Sequence, residues 1–280
     1  MTLSRNVASG LLAPEDVQEL LFDPLEAASI AAQATTILYT ESHSLRIPLI
    51  NKDPQAAWVA EGEEINVTDP EVGEAVTTPK KVAGITTLTA ELLDDAVGDT
   101  ATRVGNGLAR DVGRRLDGAF FAATAPADGP GGLGGVAFSS VNAGTENWVN
   151  SDPFVAAVFE AESNHANISA WFINPSDAAN LSIVKESQGS QRNLLTPDPT
   201  IPGRRMIEGR PVLTTTDVAV GEVWGIDQTQ AFTVIRKDAE VVADHSAFFT
   251  SDRIALRAVM RAGFLFINET GVVKIKLGSI

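Results

Sequence analysis

From Leu93 onward the apolar residues fall at Val97, Ala101, Val104, Leu108, Val112, Leu116 and Phe120, at intervals of four, four, three, four, four, four and four. Such spacing places them on one face of an α-helix. Running from about Ala90 to Thr124, that helix would be roughly 50 Å long at ~1.5 Å per residue, well above the usual length. Gly98, Gly105, Gly107, Gly113 and Gly118 lie inside it, and each costs about 1 kcal/mol relative to Ala in a helix interior. Two readings follow: two helices broken at Gly105 and Gly107, or one helix that must bend or be approached closely by other backbone.

Around this segment the pattern changes period several times. Residues 14–38 open with Pro14 and Glu15, carry Val17, Leu20 and Leu21, and resume apolar positions past Pro24, which predicts two short helical pieces broken at Pro24. Such a segment has too little to bury on its own and is expected to pack on something else. "SLRIPLIN" reads as a strand closed by Asn51, Lys52, Asp53 and Pro54. After the long helix, "SDPFVAAVFEAESN" has an Asp-Pro helix start, "ISAWFINP" is strand-like and ends at Asn174-Pro175, and "SDAANLSIVKES" is another capped helix. "GRPVLTT", "EVWGID" and "AFTVIRKDAEVVA" follow as strands. "RIALRAVMRAGFLFIN" puts Arg253, Arg257 and Arg261 on one face at either period, and its Phe and Ile content after Gly263 favours a long strand. "GVVKIKL" closes the chain as a strand.

Composition narrows the function. The 280 residues are 44% hydrophobic and 20% charged, enough for a substantial core in one domain or two. No apolar run approaches the ~20 residues that span a bilayer, and the N-terminus lacks a signal peptide's apolar stretch and cleavage site, so synthesis in the cytoplasm and no membrane partner are expected. There is no cysteine, which excludes disulfides, thiolate metal sites and cysteine nucleophiles. His43, His165 and His245 lack the spacing of a zinc site. With 36 acidic and 21 basic residues the formal charge is −15, the wrong sign for a chain that grips DNA through its phosphates.

Catalytic chemistry finds no foothold. Gly129, Gly131 and Gly134 satisfy G-x-G-x-x-G, but a helix precedes them, Pro130 interrupts them and a strand-like "VAF" follows, the reverse of a dinucleotide-binding turn. Asp94 and Asp95 are adjacent, so on a helix they diverge by ~100° and read as charges of its first turns. No G-x-S-x-G, H-E-x-x-H or P-loop string occurs. No catalytic, cofactor or metal residue is assigned.

One stretch resists a monomeric reading. Residues 56–84 hold Glu61, Glu63, Glu64, Asp69, Glu71 and Glu74 before their first base, Lys80. Features that cannot bury themselves within one chain often do so in a neighbour.

The order of "RIPL", "AAWVAEGEEI", "VTTPKKVAGITTLTAELLDDA", the long helix, "PGGLGG", "AWFINPSDAANL", "IEGRPVLTT" and "RIALRAVMRAGFLFIN" resembles the tailed-phage major capsid proteins of the Hong Kong 97 type, over nearly the whole chain from about Leu45. The resemblance implies an α+β fold of that type: an N-terminal arm at 1–45, an E-loop hairpin at 46–86, a P domain with a long spine helix at 87–126 and 232–267, and an A domain at 127–231 and 268–280. It implies a structural, non-enzymatic subunit assembling as hexamers and pentamers into an icosahedral head around double-stranded DNA, through an expandable procapsid. Implied partners are further copies of the chain, a portal protein, an external decoration protein and, because Met1 begins almost at the arm, a separate scaffolding protein.

In that setting the E-loop lies across a neighbour, and Glu61, Glu63 or Glu64 is expected to pair with Arg103, Arg110 and Arg114, which share one side of the helix with Arg115 beside them. The spine-helix glycines would permit bending before maturation. Lys52, Lys80 and Lys81 could supply the amine of the isopeptide cross-link some relatives form, but no Asn lies between Asn193 and Asn268, so the expected acceptor is absent. An encapsulin, a bacterial compartment of the same fold, is the near alternative, and a soluble hydrolase using acidic residues is the different class.

Overall fold

The computed structural model describes residues 29–52, 54–89, 91, 100–185, 193–198, 201 and 203–278. A helix, α1 (Ile30–Ala34), leads into strand β1 (Thr36–Tyr39). Strands β2 (Leu45–Lys52) and β3 (Glu71–Thr77) pair antiparallel as a two-stranded ribbon. Strand β4 (Lys80–Thr89) precedes the long helix α2 (Thr100–Phe121). Then come β5 (Ser139–Asn142), α3 (Asp152–Ser163), β6 (Ala170–Ile173), α4 (Pro175–Ile183), β7 (Thr196–Pro197), β8 (Arg205–Ile207), β9 (Arg210–Thr214), β10 (Glu222–Ile226), β11 (Ala231–Phe248), β12 (Arg253–Phe266) and β13 (Val273–Lys276).

Two larger sheets organise the chain. One has four strands in the order β1-β11-β12-β4, with β1 parallel to β11 and the remaining pairs antiparallel. Its inner face meets α2, where Ala109, Val112, Leu116 and Phe120 pack in one cluster with Ala258, Met260, Ala262 and Phe264. Strand alternation explains the match, because positions 258, 260, 262 and 264 of β12 all point the same way. The second sheet has seven strands in the order β5-β13-β10-β6-β9-β8-β7. One of its faces lies under α3 and α4, with Trp171, Ile173, Val223 and Ile275 against Phe154, Ala157 and Leu181. Its other face supplies Phe172, Trp224 and Ile226 to the cluster around α2. The C-terminal end of α2 therefore joins the two sheets: Phe120 meets Phe264 edge-on at 4.9 Å, and Phe121 meets Phe172 at 5.6 Å.

The glycine-rich turn after α2 has a steric cause. A Cβ on Gly132 would lie 2.2 Å from the carbonyl oxygens of Ala119 and Phe120, and one on Gly134 would lie 2.4 Å from that of Ala123. Backbone thus packs directly on the end of the helix, where Gly134 N–H donates to the Ala122 carbonyl at 3.3 Å and satisfies one of the free acceptors there.

Several sequence expectations need correction. Helix α2 runs unbroken through Gly105 and Gly107, so the two-helix reading fails. It ends at Phe121, not Thr124, because the glycine turn closes over it. Ala90 and residues 92–99, including Asp94 and Asp95, lie outside the described residues, as do residues 1–28 with Pro24. Beyond Ala34 the expected helix is instead strand β1, since Thr36–Tyr39 find backbone partners on β11. "VAF" is not a strand; β5 begins just after it at Ser139. Strand β11 continues to Phe248, its register shifting between Ile235 and Lys237, Lys237 and Glu240, and Asp244 and Phe248.

Candidate functional site

The ribbon and the loop at its end stand out from the rest of the chain. Between Pro54 and Pro70 every residue is exposed. A turn at the tip is closed by Glu63 N–H donating to the Ala60 carbonyl at 3.1 Å, with Gly62 at φ +89°, a backbone angle glycine adopts without strain. Lower down, Gln55 N–H donates to Thr68 Oγ1 at 2.9 Å and holds the two sides together. Glu61, Glu63 and Glu64 are all exposed at this tip. Between them and the ribbon lie apolar side chains the sequence reading overlooked: Trp58 is fully exposed, Val67 is 92% exposed and Ile65 is 76% exposed. On the ribbon, Ile50, Val72 and Val76 are also exposed, and the Arg46–Glu74 pair at 3.1 Å is solvated, worth at most ~1 kcal/mol.

Arg103, Arg110, Arg114 and Arg115 are exposed on the side of α2 that faces away from the sheet. Arg115 lies 3.8 Å from Asp111 one turn earlier. Among the described residues no ion pair joins this row to Glu61, Glu63 or Glu64 within the chain.

A second basic surface extends the face of Arg253, Arg257 and Arg261 read in the sequence onto the neighbouring strands. On the outer face of the four-stranded sheet, Arg261 of β12 sits directly between Lys81 of β4 and Lys237 of β11, and Arg257 sits beside Ile85. Lys81, Lys237, Arg253 and Arg257 are exposed, Arg261 is half-buried, and Ile85 is 64% exposed. Asp244, opposite Ala255, is an acid on the same part of β11.

Asp117 is a buried carboxylate on the face of α2 that meets α1. It accepts from Ser29 Oγ at 2.7 Å and from the backbone N–H groups of Ala31 at 2.9 Å and Ile30 at 3.2 Å. Burial raises its pKa above the usual 3.8, those three hydrogen bonds oppose the rise, and Asp217 adds to it. This clasp ties the start of α1 to α2. Nearby, Thr35 and Thr233 share a buried hydroxyl contact at 2.6 Å. The segment expected to need an outside support is thus seated, from Ser29 on, against its own chain.

The phage capsid family model matches residues 9–277. The chain belongs to the phage capsid family. Among solved structures, the capsid of an empty GTA particle is 18% identical, with 90% of each chain covered and a TM-score of 0.75. Chains from Mycobacterium phage Adephagia (16% identity, 100% of this chain and 99% of that one, TM-score 0.73) and Mycobacterium phage Bobi (16%, 90% and 91%, TM-score 0.73) share the same fold. No curated protein matches the sequence. As a phage major capsid protein the chain is a structural subunit of an icosahedral shell, and its place is the virion capsid. The α+β fold is that of its capsid neighbours.

Proposed function

We propose that this capsid protein builds its shell from hexamers and pentamers in which the β2–β3 ribbon reaches across an adjacent copy. The chain then divides into an arm at 1–45, an E-loop at 46–86, a P domain at 87–126 and 232–267, and an A domain at 127–231 and 268–280. The observation that carries this reading is the ribbon tip: Trp58, Ile65 and Val67 are exposed beside Glu61, Glu63 and Glu64. A two-stranded ribbon is marginal by itself, and exposed apolar side chains clustered this way mark a surface that another protein covers. Basic surfaces lie on α2, at Arg103, Arg110 and Arg114, and on the outer sheet face, and either supplies a neighbour's counter-charge.

The glycines of α2 fit a shell that changes shape. Nothing within 4 Å of Gly105 opposes a Cβ, and the nearest atom at Gly107 is Arg110 Nη2 at 3.8 Å. Packing in this conformation does not require glycine there. A helix that bends in an immature shell and straightens on expansion would. The net charge of −15 suits the inside of a container for double-stranded DNA held without sequence-specific contacts.

Electron microscopy and light scattering of the protein, expressed alone and with its neighbouring genes, test the reading. Closed shells are expected. Small monodisperse species in both samples would refute it.

A further inference from the structure

We propose that the arginine stripe of α2 is the contact between the shell's inner wall and the phosphates of packaged double-stranded DNA, with Arg103, Arg110 and Arg114 meeting a duplex across the bare backbone at Gly107. This rests on the container reading above and names the surface that meets the contents.

Positions 103, 107, 110 and 114 follow one another at intervals of four, three and four, so they share the face of α2 opposite to Val112 and Leu116. The three arginines are exposed and span ~16 Å of helix at ~1.5 Å per residue. On that face no side chain stands between Arg103 and Arg110, because the intervening position is glycine. The nearest atom to a Cβ placed on Gly107 is Arg110 Nη2 at 3.8 Å. A guanidinium therefore stands beside an open stretch of helix that other backbone can approach closely.

The chemistry of the stripe selects its partner. Residues 100–116 hold four arginines against one acid, Asp111, a local charge of +3 within a chain whose total is −15. Asp111 lies near Arg115, and among the described residues no carboxylate pairs with Arg103, Arg110 or Arg114. All three are arginine, whose planar guanidinium matches phosphate oxygens and is more weakly hydrated than an ammonium. Protein interfaces have an apolar centre. Exposed apolar side chains stand at the ribbon tip, at Phe159 of α3 and at Ile183 of α4, and none stands on this face of α2. A duplex carries one phosphate per ~1.7 Å of its axis, roughly ten over the length of the stripe. Contact at that density needs no register with base sequence and is sensitive to salt.

Arginine-selective labelling with phenylglyoxal, read by mass spectrometry, tests the contact on DNA-filled heads and on the same heads after emptying. Arg103, Arg110 and Arg114 are expected to label at least about fivefold less in filled heads at low salt and to recover in about 1 M salt, while Arg46 on the ribbon labels equally in both. Equal labelling of the stripe in filled and emptied heads would overturn the proposal. Protection that persists after emptying would overturn it too, by showing that protein covers the stripe, and protection indifferent to salt would replace the ionic contact with simple crowding. The variant Arg103→Gln/Arg110→Gln/Arg114→Gln is expected to close normal shells and to release its DNA several degrees lower on heating, with Arg103→Lys/Arg110→Lys/Arg114→Lys intermediate. An unchanged release temperature would refute the contact while leaving the container reading intact. Particles that close and never hold DNA would overturn the container reading and this contact with it.

Discussion

The seven-stranded sheet and the β2–β3 ribbon solve opposite problems. In the sheet, Trp171 is fully buried, meets Phe154 edge-on at 5.2 Å, and donates its indole N–H to the Ile207 carbonyl at 3.3 Å. At the ribbon tip, Trp58 is exposed on all sides. The same residue type is spent inward in one region and outward in the other. Burial of an aromatic side chain contributes several kcal/mol wherever it occurs. The sheet gains that within one chain, whereas the ribbon would gain it only in the proposed assembly. On that proposal subunit stability and shell stability reside in different parts of the molecule.

The sharpest way to break this contrast is a pair of tryptophan substitutions. Trp171→Ala should destabilise the unassembled subunit by about 3–5 kcal/mol, read from urea denaturation. Trp58→Ala should move the same transition by less than ~0.5 kcal/mol yet reduce closed particles. A large loss of subunit stability on Trp58→Ala would end the distinction. Between these extremes lie the glycines of α2. Gly105→Ala and Gly107→Ala should each stabilise the isolated subunit by up to about 1 kcal/mol, because each Cβ has room, while altering expansion of the shell. Thermal melting checks the first effect and particle diameter the second.

The smallest effect concerns pH. Burial raises the Asp117 pKa above 3.8, so the folded chain takes up this proton at a higher pH than the unfolded chain does. The group's contribution to stability accordingly grows as pH falls through its folded pKa and is complete below 3.8. Comparing the pH dependence of denaturation midpoints in the unmodified chain and in Asp117→Asn isolates it, and identical slopes would contradict the assigned direction.

Much of this was legible in the chain. The face from Leu108 to Phe120 identified α2 because its apolar positions Leu108, Val112, Leu116 and Phe120 pack in the cluster shared with the sheet. The Asn174-Pro175 boundary identified α4, where the Asn174 side chain accepts from Ser176 N–H at 3.0 Å. Phe264, Ile267 and their neighbours marked the end of β12 correctly as strand. What escaped depended on distant partners. Strand β1 pairs with β11 nearly two hundred residues away, and no local pattern reports that. The Lys81-Arg261-Lys237 row spans three strands and exists only through their register. Trp58 and Val67 were visible as letters, but their exposure was not.

The closed end of α2 carries a consequence for how freely this gene can vary. Of the four glycines that flank Leu133, Gly131 and Gly135 border open space, whereas Gly132 and Gly134 press against carbonyl oxygens. A saturation library across residues 131–135 should therefore retain many alleles at the outer two glycines and almost none at the inner two, a pattern of tolerance invisible in the letters themselves.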